Sequence, residues 1–335
     1  MAGQVGVGVV MLLCSHFVSP SVAEEPMPEK IEFAIAIHGG AGLKLEKLSE
    51  EQKAERVAAL TRILEVGRKI LADNGTALDA VEQTVRALED EPLFNAGKGA
   101  VFNAAGGHEL DASIMDGATR QCGGVAGVST VKNPISLARL VMTETKHIIL
   151  GFHGAEQFAD EMKDRPQIER VPNSYFSTEA RRKAWEEVVE KERQKQKVEP
   201  GKGTVGCVCL DKHGNLAAGT STGGLNNKRW GRIGDSPLNG AGNYADNKTC
   251  AFSGTGVGEH FIRNSAAFQT SALMEFKGMS LKEAVEYVVH KVIPADGGGV
   301  IAVDRAGNIV MDMNTAAMPR AAANSTGWSE VKLAK

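Results

Sequence analysis

The residues best placed to do chemistry sit where the character of the chain changes. From Arg181 to Gly203 the sequence runs RRKAWEEVVEKERQKQKVEPGKG and is nearly all charged or polar after Val189. At Thr204 it turns apolar, with TVGCVCLD. A polar linker therefore meets a buried strand whose first residue is Thr. A Thr hydroxyl is a poor nucleophile unless a base sits beside it. If the chain were cut before Thr204, the new α-amine would supply one, because its reference pKa of about 7.7–8.0 leaves much of it unprotonated near neutrality. Most single threonines serve packing, so this boundary alone does not decide the matter.

Two other groups could meet a small substrate. Arg232 and Asp235 lie close together in a glycine-rich loop. A surface ion pair is the ordinary explanation. The chemical one is a clamp for an amino-acid zwitterion, guanidinium to carboxylate and carboxylate to ammonium. The run Gly254-Thr255-Gly256-Val257-Gly258 follows a strand and precedes a helix. Its spacing is GxGxG, not GxGxxG, and no complete βαβ unit surrounds it, which argues against a dinucleotide. Backbone amides in such a turn still suit negative charge, either a carboxylate or an oxyanion formed in a transition state. The Gly201–Thr204 segment is not a phosphate loop, and no GxSxG, HExxH or CxxC pattern is present. The eight His residues are scattered, with none at metal-ligand spacing.

The elements that must position these residues are partly legible. Residues 31–37 (IEFAIAI) read as a strand running into His38-Gly39-Gly40-Ala41-Gly42. Ser49 and Gln52 form a capping box, and Val57, Leu60, Leu64 and Leu71 recur at helical spacing until Asn74-Gly75 stops them. Thr76 opens a second helix with Leu78, Val81, Val85 and Leu88 on one face. Short strands are expected over 109–115 and 123–130, and Asn133-Pro134 opens another helix. Asp211 to Leu216 and Asp304 to Ile309 both read Asp-x-x-Gly-Asn-Leu/Ile, which predicts two hairpins. A calcium loop would need more acidic oxygens. Between the hairpins one helix is expected over 259–277 and another from Ser280, capped with Glu283. The segment from Glu179 reads as a helix fraying into a mobile linker. Antiparallel pairs beside helices suggest a layered α+β sandwich rather than a doubly wound sheet.

Composition narrows the function. Of 335 residues, 42% are apolar, enough for a large core and for one big domain or two ordinary ones. The net charge of -3 argues against a nucleic-acid partner. The 38 glycines, without a repeat period, suggest tight turns and close backbone approaches rather than collagen. The first 23 residues lack acid, Lys and Arg and end Ser21-Val22-Ala23, like a secretory signal with a small-x-small cleavage site. An uncleaved anchor is the alternative, though the apolar run is short for a span. The expected location is exported, periplasmic or secreted. Cys14 would leave with the signal. Cys207 and Cys209 alternate on one strand, which suits neither a disulfide nor zinc, and buried thiols are the simpler reading.

Seven segments in order then carry a family resemblance: HGGAG (38–42), EDEPLFNAGKGAVFN (89–103), HELDASIMDG (108–117), GTVGCVCLD (203–211), TSTGG (220–224), GRIGDSPLNGAGNYADN (231–247) and GTGVGEHFIR (254–263). Together they resemble the plant-type asparaginase and isoaspartyl-peptidase family of N-terminal-nucleophile hydrolases. The resemblance implies a four-layer αββα sandwich made as an inactive precursor. It further implies cleavage between Gly203 and Thr204 into a 24–203 α chain and a 204–335 β chain, usually paired as a dimer of αβ heterodimers.

On the same resemblance Thr204 is the nucleophile and its freed amine the base, with Thr222 bonded to it. Thr255 and the Gly256 amide form the oxyanion hole. Arg232 holds the substrate α-carboxylate, Asp235 holds the α-amine, and Asn95 positions Thr204 and the precursor bond. Main-chain carbonyls of Leu88, Glu89, Glu91, Phe94, Ala96 and Lys98 would hold a structural sodium ion. No catalytic cofactor is implied. The substrates implied are asparagine and short β-aspartyl peptides, split through a β-aspartyl ester. Lys228-Arg229-Trp230 departs from the small Leu-Pro frequent in the family and is expected to narrow or charge the entrance. The alternatives are a glycosylasparaginase-like amidase, against which the glycine after Thr222 counts, and a non-catalytic amino-acid-binding protein using Arg232 and Asp235.

Overall fold

The computed structural model describes residues 1–9, 30–196 and 203–335. The expected signal, 1–23, and the last part of the linker before Gly203 therefore fall largely outside the described residues. No described helix is long and apolar enough to cross a membrane. Residues 31–335 form one unit.

In chain order the strands are β1 (Ala34–His38), β2 (Leu110–Asp116), β3 (Cys122–Val128), β4 (Ile149–Gly151), β5 (Val205–Leu210), β6 (Leu216–Thr222), β7 (Asn243–Ala245), β8 (Cys250–Gly256), β9 (Gly298–Asp304), β10 (Ile309–Met313), β11 (Ala317–Asn324) and β12 (Ser329–Ala334). The α-helices are α1 (Glu50–Ala72), α2 (Ala77–Glu89), α3 (Pro134–Glu144), α4 (Phe152–Glu161), α5 (Glu179–Arg193), α6 (Gly258–Asn264), α7 (Ala266–Lys277) and α8 (Leu281–Tyr287). An eight-stranded sheet has the order β12-β11-β1-β5-β6-β2-β3-β4, and a four-stranded sheet has the order β10-β9-β8-β7. All pairings are antiparallel except β3 with β4. The chain is a mixed α and β protein, as its pattern suggests.

Strand periodicity explains why both faces of the large sheet are covered. Successive side chains point to opposite faces. In β1, Ile35 and Ile37 enter one core while Ala34 and Ala36 enter another. In β5, Val205, Cys207 and Cys209 share the first core, and Val208 and Leu210 the second. The first core holds α1, α2 and α3 against the large sheet, and in the second β8 and β9 lie against β1 and β5. Cys207 and Cys209 are buried free thiols with sulfurs 3.6 Å apart, as their shared face predicts.

The caps behave as their chemistry dictates. Ser49 with Gln52, and Ser280 with Glu283, close complete capping boxes. Thr76 accepts from the Asp79 amide, and Pro134 opens α3. One expectation is corrected. The helix over 259–277 is two, because Ser265 adopts a left-handed conformation at φ 46 between α6 and α7. A second element escapes pattern reading. β11, with the sequence AMPRAAAN, has little strand propensity, yet from Arg320 to Asn324 it pairs with the whole of β1. Long-range pairing with a buried neighbour outweighs local preference there.

The two Asp-x-x-Gly-Asn repeats are the turns of the β5–β6 and β9–β10 hairpins, with Gly214 and Gly307 both at φ 81. In each, the Asp carboxylate accepts from the amides two and four residues on: Asp211 from His213 and Asn215, Asp304 from Ala306 and Asn308. Asp211 is buried and also accepts from the Ala77 amide at 2.9 Å, which ties the hairpin to the start of α2. Removing it strands a buried N–H. Asp211→Ala is therefore expected to cost about 1–3 kcal/mol in urea unfolding, and Asp304→Ala, in the more exposed twin, about 1 kcal/mol or less. Equal losses would contradict this account of the repeat.

Candidate active site

Thr204 stands at the start of β5, buried at the junction with Gly203. The Gly203 carbonyl oxygen accepts two hydrogen bonds, from Asn95 Nδ2 at 2.8 Å and from Thr222 Oγ1 at 3.1 Å. The Thr204 hydroxyl donates to Thr222 Oγ1 at 3.2 Å, and the Gly224 amide donates to the same oxygen at 3.0 Å. Thr222 thus links the nucleophile candidate to the carbonyl preceding it. Asn95 is itself fixed: its Oδ1 accepts from the Val101 amide, and its Nδ2 also donates to Gly224 O. Three of the residues expected to cooperate, Asn95, Thr204 and Thr222, are therefore brought together. The arrangement polarises the carbonyl of the very bond expected to break.

The loop after β1 joins this junction to β8. Gly40 has φ +109, and a Cβ there would lie 2.9 Å from Gly203 Cα and 3.2 Å from the Thr204 nitrogen. Only glycine lets the backbones approach so closely. Two residues earlier, His38 Nδ1 is 2.9 Å from the Thr204 carbonyl oxygen, and its Nε2 is 2.9 Å from Ser253 Oγ. The Ala41 amide donates to Thr255 Oγ1 at 3.0 Å. Thr255 accepts through that oxygen, which leaves its O–H to point elsewhere. Gly256 follows at the end of β8, where a Cβ would meet Gly297 O at 2.1 Å. Thr255 thus reaches the junction through residues 38–42, with Gly256 next to it in the chain.

Arg232 and Asp235 meet at the same turn. A Cβ on Gly258 would lie 2.9 Å from Arg232 Nη2 and 2.6 Å from Asp235 Oδ1, so both side chains press against bare backbone. Asp235 is buried and its Oδ2 has no hydrogen-bond partner. Burial pushes its pKa up to about 7, with Glu259 and Asp111 also raising it and Arg232 opposing. A buried carboxylate with a free oxygen is incomplete without a cation. Arg232 is already oriented: its Nε and Nη2 donate side-on to the two oxygens of Glu259, each at 2.9 Å. That bidentate grip leaves Nη1 for another anion. Burial is the largest influence on the Glu259 pKa and raises it, but the hydrogen bond from Arg232, a backbone hydrogen bond and the nearby charges of Arg232 and His260 together outweigh it, and the net shift is downward.

Pattern reading misses Glu259, Asp111 and the inward turn of Lys228. Asp111 is the register partner of Thr222 in the large sheet, buried, with Oδ1 accepting from the Gly127 amide and Oδ2 unpaired. Burial raises its pKa, with Lys228 and Arg232 among the opposing charges. The expectation that Lys228, Arg229 and Trp230 crowd the entrance is corrected for Lys228. Its side chain is only 2% exposed, and Nζ donates to the Glu109 carbonyl at 2.8 Å. Arg229 pairs with Glu192, and Trp230 is 96% exposed. The one available signal for Glu259 was its place just after the glycine turn, in the first turn of α6.

Leu88, Glu89, Glu91, Phe94, Ala96 and Lys98 lie where α2 ends and the following loop folds back. The carbonyls of Glu89, Pro92 and Phe94 crowd Gly97 and Gly99, whose Cβ positions would fall 2.3 to 2.7 Å from those oxygens. The Glu89 carbonyl accepts from the Lys98 amide at 2.7 Å. Among the described residues no cluster of His, Cys, Asp or Glu side chains could hold a metal.

Set beside known proteins, the chain belongs to a hydrolase family. The model of the asparaginase family matches residues 31–333, and the chain is a member of that family. It is 48% identical over 293 residues to the isoaspartyl peptidase of Salmonella typhimurium, covering 86% of this chain and 94% of that protein. Against the probable isoaspartyl peptidase/L-asparaginase 2 of Arabidopsis thaliana the identity is 42% over 327 residues, covering 90% and 98%. The human isoaspartyl peptidase/L-asparaginase is 42% identical over 294 residues, covering 86% and 92%.

His38 gives the site a pH signature. Complete burial lowers its pKa to about 3, and its bond to the Thr204 carbonyl only partly offsets this. The unfolded chain, with an ordinary His near 6.5, takes up a proton that the fold refuses. This contribution is complete above about pH 6.5 and is lost as pH falls toward 3, with a slope of up to about 1.4 kcal/mol per pH unit. Asp235, with its raised pKa, acts in the opposite sense between its ordinary value and about 7. In denaturant unfolding from pH 7 to 4, the stability of His38→Gln relative to the parent should therefore rise as pH falls, because the variant loses only the His38 contribution and keeps that of Asp235. A difference that stays constant with pH would mean that His38 is not held neutral.

Proposed function

We propose that this chain is a self-processing β-aspartyl hydrolase. It would release aspartate from asparagine and from N-terminal β-aspartyl residues of short peptides, with Thr204 as nucleophile. The observation that carries the reading is the Gly203–Thr204 junction, where Asn95 and Thr222 hold the carbonyl and Thr222 accepts the Thr204 hydroxyl. The family membership and the printed activities of the relatives support it.

Processing comes first. Thr204 Oγ attacks the Gly203 carbonyl carbon, the C–N bond breaks, and the hydroxyl proton passes to the leaving nitrogen. Water then hydrolyses the ester, giving a carboxylate on Gly203 and a free α-amine on Thr204. Asn95 and Thr222 donate to the oxygen on which negative charge collects. In turnover the Thr204 amine takes the Oγ proton as Oγ attacks the substrate side-chain carbonyl. Thr255 and the Gly256 amide receive the new oxyanion. The proton goes to the departing nitrogen, ammonia or an amino acid leaves, and water releases aspartate while restoring the hydroxyl.

Recognition follows from charge. Asparagine and a β-aspartyl dipeptide both present a free α-amine and α-carboxylate, so one clamp of Asp235 and Arg232 serves both. The finer architecture belongs to the same reading: four layers, αββα, cut into chains 24–203 and 204–335 and paired as a dimer of αβ units. A sodium ion fits the carbonyl-rich loop of Leu88, Glu89, Glu91, Phe94, Ala96 and Lys98, where it would stiffen the backbone that carries Asn95. Export rests on the leading residues alone. The glycosylasparaginase-like and the purely binding alternatives have no observation of their own in their favour.

Three measurements test this reading. Assays of ammonia and aspartate with asparagine and β-Asp-Leu side by side should give both activities in the parent and neither in Thr204→Ala. Binding of aspartate without any turnover would instead favour the binding protein. Because Asp235 must be ionised to take an ammonium, kcat/KM should climb with pH through about 7. The kcat profile should lose the Asp235 step, since a bound ammonium favours the carboxylate, and keep only that of the Thr204 amine. A kcat/KM that is flat from pH 6 to 8 would remove Asp235 from recognition. Glu259→Ala should raise KM about 10-fold and leave kcat within about threefold, because it frees Arg232 to wander. An unchanged KM would show that Arg232 needs no such partner.

A further inference from the structure

We propose that His38 is a positioning residue that holds Thr204 in place once the Gly203–Thr204 bond is gone. This rests on Thr204 being the nucleophile. The polarity of its hydrogen bonds is fully determined. The Thr204 carbonyl oxygen can only accept, so His38 Nδ1, 2.9 Å away, carries the hydrogen. In the neutral ring Nε2 is then bare and accepts from the Ser253 hydroxyl at 2.9 Å. Ser253, its proton committed, accepts in turn from the Thr220 hydroxyl at 2.7 Å. The other acceptor near Thr220, Gly242 O, is more distant at 3.4 Å. A one-way chain therefore runs from Thr220 in β6 through Ser253 in β8 and His38 in β1 to the carbonyl of Thr204. All four residues are buried, so water does not compete for any of these groups.

The slot that holds the ring is shaped for it. His38 is the register partner of Gly206 across the β1–β5 pair. A Cβ at Gly206 would fall 2.6 Å from His38 Nε2 and 2.0 Å from Ser253 Oγ. The glycine two residues after the nucleophile is thus required by the chain that steadies it. The ring cannot rotate without breaking both of its bonds, and the tautomer cannot change without facing a proton to Ser253 and a lone pair to a carbonyl.

What this does follows from what cleavage removes. In the uncut chain Thr204 is steadied from both sides, by the Gly203 carbonyl held by Asn95 and Thr222 and by its own carbonyl held by His38. Cutting severs the first restraint. Strand pairing begins one residue later, at Val205. The bond from His38 Nδ1 to the Thr204 carbonyl then fixes the plane of the Thr204–Val205 peptide, from which the terminal Cα projects, while the hydroxyl keeps its bond to Thr222. It thereby keeps the amine and the hydroxyl aimed at a common point. Rotation of that plane would move both base and nucleophile off line. Misplacement of reacting atoms by about 1 Å can cost about 100-fold in rate. The substrate clamp of Arg232 and Asp235 is not touched by this chain of bonds.

Two measurements test the proposal. The first is a long-range 1H–15N correlation spectrum of the intact protein at pH 7, with the His38 ring identified by its loss in His38→Asn. The proton is expected on Nδ1, and a ring protonated on Nε2 or on both nitrogens overturns the proposal. The second compares His38→Leu and His38→Asn for chain splitting, kcat and KM with asparagine. In His38→Leu splitting should still reach completion, kcat should fall about 10- to 100-fold, and KM should stay within about threefold. His38→Asn, whose amide can still donate to the Thr204 carbonyl, should regain most of kcat. A leucine variant with parental kcat, or one that loses splitting while its mature fraction turns over normally, contradicts the role. If the leucine variant fails to fold, the spectrum and the asparagine variant decide. Turnover surviving in Thr204→Ala would instead count against Thr204 as the nucleophile.

Discussion

A side chain at position 40 would fall 2.9 Å from Gly203 Cα and 3.2 Å from the Thr204 nitrogen, and the candidate site depends on that approach of two backbones. The loop from His38 to Gly42 has to lie flat against the junction for three bonds to form at once. His38 reaches the Thr204 carbonyl and Ser253, and Ala41 reaches Thr255. Were the loop lifted by a methyl group, the nucleophile candidate and the groups meant to stabilise its oxyanion would lose their common reference. The large sheet supplies the platform, since β1 and β5 are direct neighbours and both their faces are buried.

Electrostatics completes what sterics begins. The recognition side is a balanced set of charges rather than a single pair. Asp235 and Asp111 are buried carboxylates with raised pKa values, opposed by Arg232 and Lys228, while Glu259 aligns Arg232 from the rim. Each buried carboxylate keeps one unpaired oxygen. Such atoms are costly in a folded protein, and they persist where a ligand completes them. An amino-acid zwitterion brings one cation and one anion, so it can answer both Asp235 and Arg232 without leaving net charge behind.

Much of this was legible because it is local. Capping boxes at Ser49 and Ser280, the stop at Asn74-Gly75 and the Asp211 and Asp304 turns each depend on neighbours within a few residues, and each forms as read. The ordered motifs also identified the residues that converge on Gly203 and Thr204. What escaped is what tertiary contact decides. β11 is a strand because β1 needs a partner, not because AMPRAAAN favours one. α6 and α7 separate at a single left-handed Ser265 that composition does not mark. Lys228 looked like an entrance residue by its chemistry and is buried by its hydrogen bond to Glu109. Glu259 carried no signal of its own until Arg232 was seen to lie against it.

The central claim is that the chain cuts itself between Gly203 and Thr204 and works through the terminus it creates. Intact mass spectrometry with N-terminal sequencing of the purified active protein tests this most directly. The account predicts two polypeptides, one ending at Gly203 and one beginning at Thr204, and a single uncut chain in Thr204→Ala. A fully active preparation in which the bond remains whole would contradict it.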